Sequence, residues 1–177
     1  MEKTIRWLLI PYRKTPKLFA IQMREITQKI IIGKILDGLE KDYPNILEWY
    51  NKKVIPGLET GEREIILACK FYKMKTHEKI HFEVLGYVIL KKTPNEKKIC
   101  TFRVDPKYQH IGIGKRLMEA SFSFLETRKP MITISEDNVK SFESLLKRYN
   151  FKLVEKIENL YVQGKIEYVY NKKWEKD

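Results

Sequence analysis

Two closely spaced glycines, Gly112 and Gly114, are the residues whose placement points most directly to binding chemistry. They follow a β-rich run that ends at Val104 and stand where a helix is predicted to begin. Backbone N–H groups at a helix start have no intrahelical partner, and the helix dipole adds roughly half a positive charge. Glycine lets a phosphate approach the backbone, and Lys115 and Arg116 add positive charge. The pattern predicts an anion-binding loop, and the plainer alternative is a glycine-containing helix start without a ligand.

Two common phosphate-binding motifs do not fit this loop. A dinucleotide-binding fingerprint needs a third glycine in G-x-G-x-x-G, and Leu117 stands at that position. The fingerprint also belongs to a parallel unit, whereas the strands before Gly112 are predicted to form an antiparallel meander. A P-loop needs G-x-x-x-x-G-K-[ST], which the sequence lacks. The loop is therefore a candidate phosphate site of another kind.

Length and composition limit the classes of protein to which the chain can belong. A length of 177 residues predicts one domain. The share of hydrophobic residues, 43%, and of aromatic residues, 12%, excludes wholesale disorder. No apolar run approaches the roughly 18 residues of a membrane-spanning helix, so no membrane partner is expected. Two cysteines make no disulfide framework or zinc ligand set, and His77 and His81 lack a third ligand, so no metal is expected. No secretory signal is recognisable, which favours a cytoplasmic location.

The formal net charge of +12 indicates either an anionic partner or a lysine-rich coding bias. Nucleic acid or a polyphosphate cofactor would be such a partner. The lysines and arginines are dispersed, and no long basic block or aromatic-interleaved ladder stands out. The charge is therefore compatible with a nucleic-acid partner but does not favour one.

The predicted secondary structure is that of a mixed α/β domain. Runs rich in β-branched and aromatic residues predict strands over residues 18–26, 64–72, 82–90, 99–104, 131–135, 151–157 and 166–170. Apolar residues at helical spacing predict helices over 27–42, 47–54, from 112 to about 125, and 142–149. Pro56 and Gly57 are expected to end the second helix. The three strands between residues 64 and 104 are expected to form an antiparallel meander.

The spacing Q-x-x-G-x-G that begins at Gln109, after a strand ending at Val104, resembles the acetyl-CoA motif of the GNAT N-acetyltransferase superfamily. Residues 21–27 are similar to the family's first strand and the start of its first helix, and residues 86–90 to its third strand. Residues 147–151 resemble a segment that ends in Gly-Phe in the family. The resemblance therefore covers most of the chain.

This resemblance implies an α/β fold of the GNAT type. Its central mixed sheet, mostly antiparallel, has about seven strands flanked by about four helices, with a V-shaped splay between strands four and five. Asn150 replaces the glycine of Gly-Phe, a mild change because asparagine tolerates a positive φ. Residues 17–177 would be a single domain of this family, and residues 1–16 an N-terminal extension. That extension is expected to be an edge strand of the sheet, a dimer contact or a disordered arm.

The resemblance also implies acetyl-CoA as cosubstrate. The backbone of residues 102–104 would pair with its pantetheine arm, and the amides of residues 111–115 would hold its pyrophosphate. Asn138, just past strand five, would touch the cofactor. The cofactor-binding residues implied in this way are Phe102, Arg103, Val104, Gln109, His110, Ile111, Gly112, Ile113, Gly114, Lys115 and Asn138.

The proton-transferring residues of the family do not carry over onto this sequence. Lys98 stands where many relatives have a glutamate, and Leu146 stands where they often have a tyrosine. Tyr149 and Glu136 remain as catalytic candidates, although a structural or surface role is the plainer interpretation of each. Further candidate acids are Asp37, Glu40 and Asp42, while Cys100 is interpreted as a packing residue and Trp49 as a residue that borders the acceptor site or packs in the core.

The leading hypothesis is an acetyl-CoA-dependent N-acetyltransferase whose amine acceptor attacks the thioester directly. The acceptor would enter near residues 37–49 and is a small molecule, a protein amine or an aminoacyl-tRNA. The tRNA acceptor, which similar-sized GNAT-type toxins use, suits the net charge of +12. A non-catalytic CoA-binding domain and a nucleic-acid-binding module are the alternatives. A monomer or a homodimer is expected.

Overall fold

One mixed sheet organises the part of the chain that the computed structural model describes, residues 7–11, 39–40, 43–73 and 80–175. Its strands are β1 (Trp7–Pro11), β2 (Arg63–Lys73), β3 (Ile80–Lys92), β4 (Lys97–Val104), β5 (Met131–Ser135), β6 (Leu153–Glu158) and β7 (Ile166–Tyr170). Their order across the sheet is β1-β2-β3-β4-β5-β7-β6. All neighbours are antiparallel except β4 and β5, which are parallel. The predicted mixed, mostly antiparallel sheet and its central meander are confirmed.

Four α-helices lie within the described residues: α1 (Ile46–Trp49), α2 (Ile55–Thr60), α3 (Ile113–Leu125) and α4 (Val139–Arg148). A π-helical turn, Tyr50–Val54, joins α1 to α2. Pro56 and Gly57 were predicted to end the helix over residues 47–54, and this prediction is wrong because the chain stays helical to Thr60. Pro56 lies in the first turn of α2, where a missing N–H costs little, and the chain turns only at Gly61, whose φ is +87°.

The sheet separates two apolar cores, because successive side chains of a strand point to opposite faces. On one face, α3 supplies Leu117 and Met118 to a core that also contains Val88 of β3. On the other face, Tyr87 belongs to a second core, together with Tyr50 of the π-helical turn. The two faces of β3 and β4 therefore look towards different surroundings.

The sheet opens between β4 and β5, as the fold resemblance predicts. These strands pair at only two positions, Lys98 with Met131 and Ile99 with Ile132. Beyond Ile99, β4 remains paired with β3 on its other side as far as Val104. Over the last five residues of β4, the edge that faces β5 therefore makes no strand pairing with β5.

The predicted extension at residues 1–16 contributes the edge strand β1, which pairs with β2 from Trp7 opposite Lys70 to Pro11 opposite Ile66. Of the three interpretations of this leader, the edge strand describes residues 7–11. The strand predicted over 18–26 and most of the helix predicted over 27–42, including Asp37 and Asp42, lie outside the described residues.

Two further features of the fold bear on the sequence predictions. Asn150 has a φ of +53°, the left-handed conformation that its position in place of glycine predicts. None of the helices that the structure describes has the length and apolarity required to cross a membrane.

Candidate functional site

The splay of β4 from β5 opens a cleft of about 500 Å³, a volume typical of small-molecule sites. Its walls are the two strands, the loop that leads into α3, and one face of α4. The lining residues are Ile99, Cys100, Thr101, Phe102, Arg103 and Val104 of β4, Ile132, Thr133, Ile134 and Ser135 of β5, Pro106, Gln109, His110, Gly112, Gly114 and Lys115 at the loop and α3, Asn138, Ser141, Phe142, Ser144, Leu145 and Arg148 at α4, and Leu39 and Tyr43.

The loop before α3 has the backbone shape of an anion-binding turn. His110 and Gly112 both lie in the left-handed region, with φ of +63° and +90°. Gly112 is the N-cap of α3 and has no side chain with which to cap the first-turn amides, and a Cβ there would meet open space. The side-chain amide of Gln109 donates to the Val104 carbonyl over 3.4 Å, which ties the loop to the end of β4. Backbone N–H groups in such a turn can bind an anion.

The structure brings nearly all predicted cofactor-binding residues together around this cleft. Phe102, Arg103, Val104, Gln109, His110, Gly112, Gly114, Lys115 and Asn138 all line it. The exceptions are the side chains of Ile111, which is exposed, and Ile113, which is fully buried against the core. Both belong to the loop and first turn, where the prediction concerned backbone amides.

The electrostatic character of the cleft is positive. Arg103, Lys115 and Arg148 line it, and no carboxylate is present among the described residues that do. Asn138 donates from Nδ2 to the Ser135 hydroxyl over 2.8 Å, which fixes the polar end of β5 against the start of α4. The arrangement suits an elongated ligand that carries negative charge at the α3 end.

Tyr149, a predicted catalytic candidate, does not line the cleft. Its ring packs edge-on against Phe122, with centroids 5.1 Å apart, and its hydroxyl donates to Glu119 Oε1 over 2.9 Å. Burial, reinforced by the hydrogen bond to Glu119, raises the pKa of Tyr149 to about 12. The end of α4 directs this side chain towards the outer side of α3, and the previous residue, Arg148, lines the cleft instead.

Glu136, the other catalytic candidate, also lies outside the cleft. Its exposed carboxylate accepts a hydrogen bond from the Ile166 amide over 3.2 Å, and its own amide donates to the Ile166 carbonyl. These contacts join the end of β5 to the start of β7. The Glu136 side chain is therefore part of a connection between two strands.

Glu40, a further candidate acid, is exposed and follows the buried Leu39.

Lys98 and Cys100 flank the point where β4 leaves β5. Lys98 is buried, with its Nζ 3.9 Å from the centre of the Trp174 ring and 3.4 Å from the Tyr161 hydroxyl. Cys100 is partly buried and lines the cleft, where Arg63 Nη1 donates to its Sγ over 3.3 Å. The packing role expected of Cys100 thus includes a contact with a buried guanidinium.

Sequence reasoning missed the contribution of α4. Beyond the predicted Asn138, the cleft is lined along one side of this helix by Ser141, Ser144 and Arg148, together with Phe142 and Leu145. The signal was available, since residues three or four apart share a helix face and here carry mostly polar groups.

Trp49, which the sequence placed at the acceptor site or in the core, does not line the cleft. The Arg63 guanidinium lies over its ring, 5.5 Å from the ring centre.

The described residues contain no cluster of three or more histidine, cysteine, aspartate or glutamate side chains that could hold a metal ion.

The chain is similar to proteins of one family. A family model described as the acetyltransferase (GNAT) family matches residues 41–151. The PaiA N-acetyltransferase from Thermoplasma acidophilum, solved in complex with coenzyme A, is 15% identical with a TM-score of 0.57, and the match covers 96% of this chain and 100% of that one. A Desulfovibrio desulfuricans protein assigned to the GNAT family is 12% identical with a TM-score of 0.52, over 93% and 97%. At these identities the likeness shows the fold alone. No curated protein gives a significant sequence match.

Proposed function

Because the family model matches residues 41–151, which is more than half of this chain, the chain belongs to the GNAT acetyltransferase family, and we propose that it transfers the acetyl group of acetyl-CoA to an amine nitrogen. The observation that carries the proposal is the cleft between β4 and β5. It combines an unpaired strand edge with an amide-rich loop of left-handed conformation. Each part complements a different part of acetyl-CoA.

The unpaired edge of β4 fits the pantetheine arm. Beyond Ile99, the backbone groups of β4 that point towards β5 receive no partner from it. Buried backbone N–H and C=O groups need hydrogen-bond partners, and the pantetheine arm carries two amides. The backbone of Phe102, Arg103 and Val104 is the part of this edge that lines the cleft nearest the loop, and it holds the arm.

The loop and first turn of α3 fit the pyrophosphate. A Cβ at Gly112 would stand in open space, so none of the described residues occupies the position in front of the loop. The first-turn amides and the helix dipole favour an anion there, and Lys115 and Arg148 add positive charge at the cleft. Asn138 contributes a polar side chain from the opposite wall.

Acetyl-CoA supplies the thioester, whose thiol has an ordinary pKa near 8.5 and departs as thiolate with little assistance. The amine nitrogen forms a bond to the carbonyl carbon as the carbon–sulfur bond breaks, and the nitrogen loses its proton to water. The Val104 N–H polarises the carbonyl oxygen in the manner of an oxyanion hole. Tyr149 and Glu136 lie outside the cleft, so neither is assigned as the proton acceptor.

A second candidate function is CoA binding without transfer. It is favoured by the absence of a carboxylate among the described lining residues and by Lys98 at the position of the family's glutamate. It predicts stabilisation by CoA without acetylation of any amine. An aminoacyl-tRNA acceptor, a nucleic-acid-binding role and the oligomeric state stay predictions, and salt-sensitive tRNA binding would support the first of these.

The test of the proposed function is the thermal stability of the protein with acetyl-CoA, CoA or ATP. A ligand at 100 times its Kd stabilises the folded state by about 2.7 kcal/mol, which corresponds to roughly 5–10 °C for a chain of this size. Both CoA species should raise the melting temperature, ATP should raise it little, and acetyl-CoA should then be consumed with an accepted amine.

Gly112→Asp places a carboxylate in front of the loop and should abolish the stabilisation by both CoA species. Gly164→Asp is a matched control, because Gly164 also has a positive φ, +78°, and open space around its Cβ, but does not line the cleft. The control should lose intrinsic stability from backbone strain yet keep the CoA response. A wild-type protein that is folded but responds to neither CoA species would refute the proposal.

A further inference from the structure

Arg103 presents its backbone and its side chain to different surroundings. Its neighbours in β4, Phe102 and Val104, pack against the core that contains α3. Alternation along the strand therefore places the Arg103 side chain on the opposite face. There it stands directly across from Tyr87 of β3, a member of the core beneath α1 and the π-helical turn. The guanidinium thus faces the side of the sheet opposite α3 while still lining the cleft.

The Tyr87 hydroxyl next to this guanidinium is a buried donor that finds no acceptor in the described part of the chain. Tyr87 is only 5% exposed, and its hydroxyl oxygen has no hydrogen-bond partner among the described residues. Burial raises the pKa of this hydroxyl, and the neighbouring Arg103 only partly offsets the rise, so the proton stays on at neutral pH. A guanidinium can donate but cannot accept, so Arg103 cannot satisfy that proton.

Among the described residues, the Arg103 guanidinium likewise has no anionic partner. No ion pair in the described part of the chain includes it, and the described lining of the cleft holds no carboxylate. Arg63, a second arginine on this face of the sheet, is different. It is buried over the Trp49 ring, and it donates to Cys100. Two donors, the Arg103 guanidinium that lines the cleft and the Tyr87 hydroxyl buried next to it, therefore lie side by side, and no described residue supplies an acceptor between them.

We propose that the acceptor amine carries a carboxylate group, which the Arg103 guanidinium and the Tyr87 hydroxyl bind together. The inference rests on the proposed acetyl transfer and specifies the class of its substrate. A carboxylate has two oxygens that match the fork of a guanidinium and leave a lone pair for the phenol. The same bond would satisfy a buried donor whose isolation is otherwise costly.

The acceptor is a free amino acid or a peptide with a free carboxylate, and the chemistry of the two is the same at this site. The probes are therefore matched pairs: each common amino acid beside its carboxamide, and short dipeptides beside their C-terminal amides. Ethanolamine and phosphoethanolamine form a phosphate arm. Each probe is added to CoA-saturated protein for a melting measurement and to acetyl-CoA for a turnover measurement.

The carboxylate member of at least one pair should raise the melting temperature of the CoA complex and bind about tenfold or more tightly than its amide. Arg103→Met should remove that preference, Tyr87→Phe should weaken it, and Arg103→Lys should restore part of it. Arg128→Met, an exposed arginine outside the cleft, is the matched control and should keep the preference.

Three results would overturn the proposal. The first is equal binding of carboxylate and amide members, or no response to any pair, in protein that responds to CoA. The second is a preference that persists in Arg103→Met. The third is a response to the phosphate probe alone. If the wild-type protein does not respond to CoA, the proposed acetyltransferase function itself fails, which separates the two conclusions.

Discussion

Replacing Gly86 with alanine should damage both stability and ligand binding, because Gly86 of β3 pairs with Val104 where the sheet opens. A Cβ at Gly86 would lie 2.7 Å from the Arg103 carbonyl oxygen, 3.2 Å from Val104 Cα and 3.3 Å from Leu117 Cδ1. Ordinary contacts between such atoms are about 3.5–4.0 Å, so the backbone of β4 must move by several tenths of an ångström. That backbone is the edge assigned to the pantetheine arm.

The magnitude follows from the kind of clash. Overpacking against a well-packed core costs about 1–3 kcal/mol, and the nearest atom here belongs to the backbone and cannot rotate away. For a chain of this size each kcal/mol lowers the melting temperature by about 2–4 °C, so Gly86→Ala should melt roughly 2–12 °C lower. The stabilisation by CoA should fall as well, because the displaced segment is part of the binding edge.

The assay is a melting curve with and without CoA for two glycine variants. Gly114→Ala is the matched variant, since its Cβ would lie 3.5 Å from Leu145 Cδ1, an ordinary contact. Alanine within a helix is favoured over glycine by about 0.5–1 kcal/mol, so this variant should retain or gain intrinsic stability. Wild-type stability in Gly86→Ala, or a larger loss in Gly114→Ala than in Gly86→Ala, would contradict the reasoning.

Other variants test the residues that the structure places outside the cleft. Tyr149→Phe should lower stability by about 1 kcal/mol through the lost hydrogen bond to Glu119 and leave the turnover of acetyl-CoA nearly unchanged; a turnover loss of a hundredfold would restore Tyr149 as a catalytic candidate. Because the pKa of Tyr149 is raised to about 12, its contribution to stability is fully present below the ordinary value near 10 and is lost between about pH 10 and 12, so Tyr149→Phe should flatten urea-unfolding free energies over that range. Glu136→Gln should keep full turnover in a steady-state assay, since its carboxylate only joins β5 to β7; a steep pH-dependent loss would argue against this. Ser141→Ala should raise the KM for acetyl-CoA modestly, because its side chain lines the cleft, and should lower the free energy of unfolding by no more than about 1 kcal/mol through the lost hydrogen bond to the Asn138 carbonyl.

Much of the fold could be predicted because its elements carry strong local patterns. The meander strands are rich in β-branched and aromatic residues, and the apolar positions of α3 recur at helical spacing, so the type of these elements is set by neighbours in sequence. The course of the chain at Pro56 could not be predicted in this way. A π-helical turn at Tyr50–Val54 shifts the helical register and places the proline where it is tolerated.

The candidate site likewise has one part that the local sequence predicts and other parts that depend on packing and strand register. Glycine spacing predicts the loop of Gly112 because a backbone conformation is encoded by the residue itself. The side to which Tyr149 points depends on how α4 packs against α3, which no local pattern specifies. The role inferred for Arg103 depends on Tyr87, the residue opposite it on β3, and this pairing is set by the register of the two strands.

The two-residue contact between β4 and β5 divides the hydrogen-bonded sheet into a four-stranded part and a three-stranded part. A ligand whose amides pair with the edge of β4 lies where the missing ladder would be, and so it completes the sheet from outside the chain. Amide hydrogens of residues 100–104 that point into the cleft should then exchange slowly only when CoA is present. Binding would thus be measurable as cooperativity, because the two parts of the sheet would unfold more nearly as one unit with CoA bound.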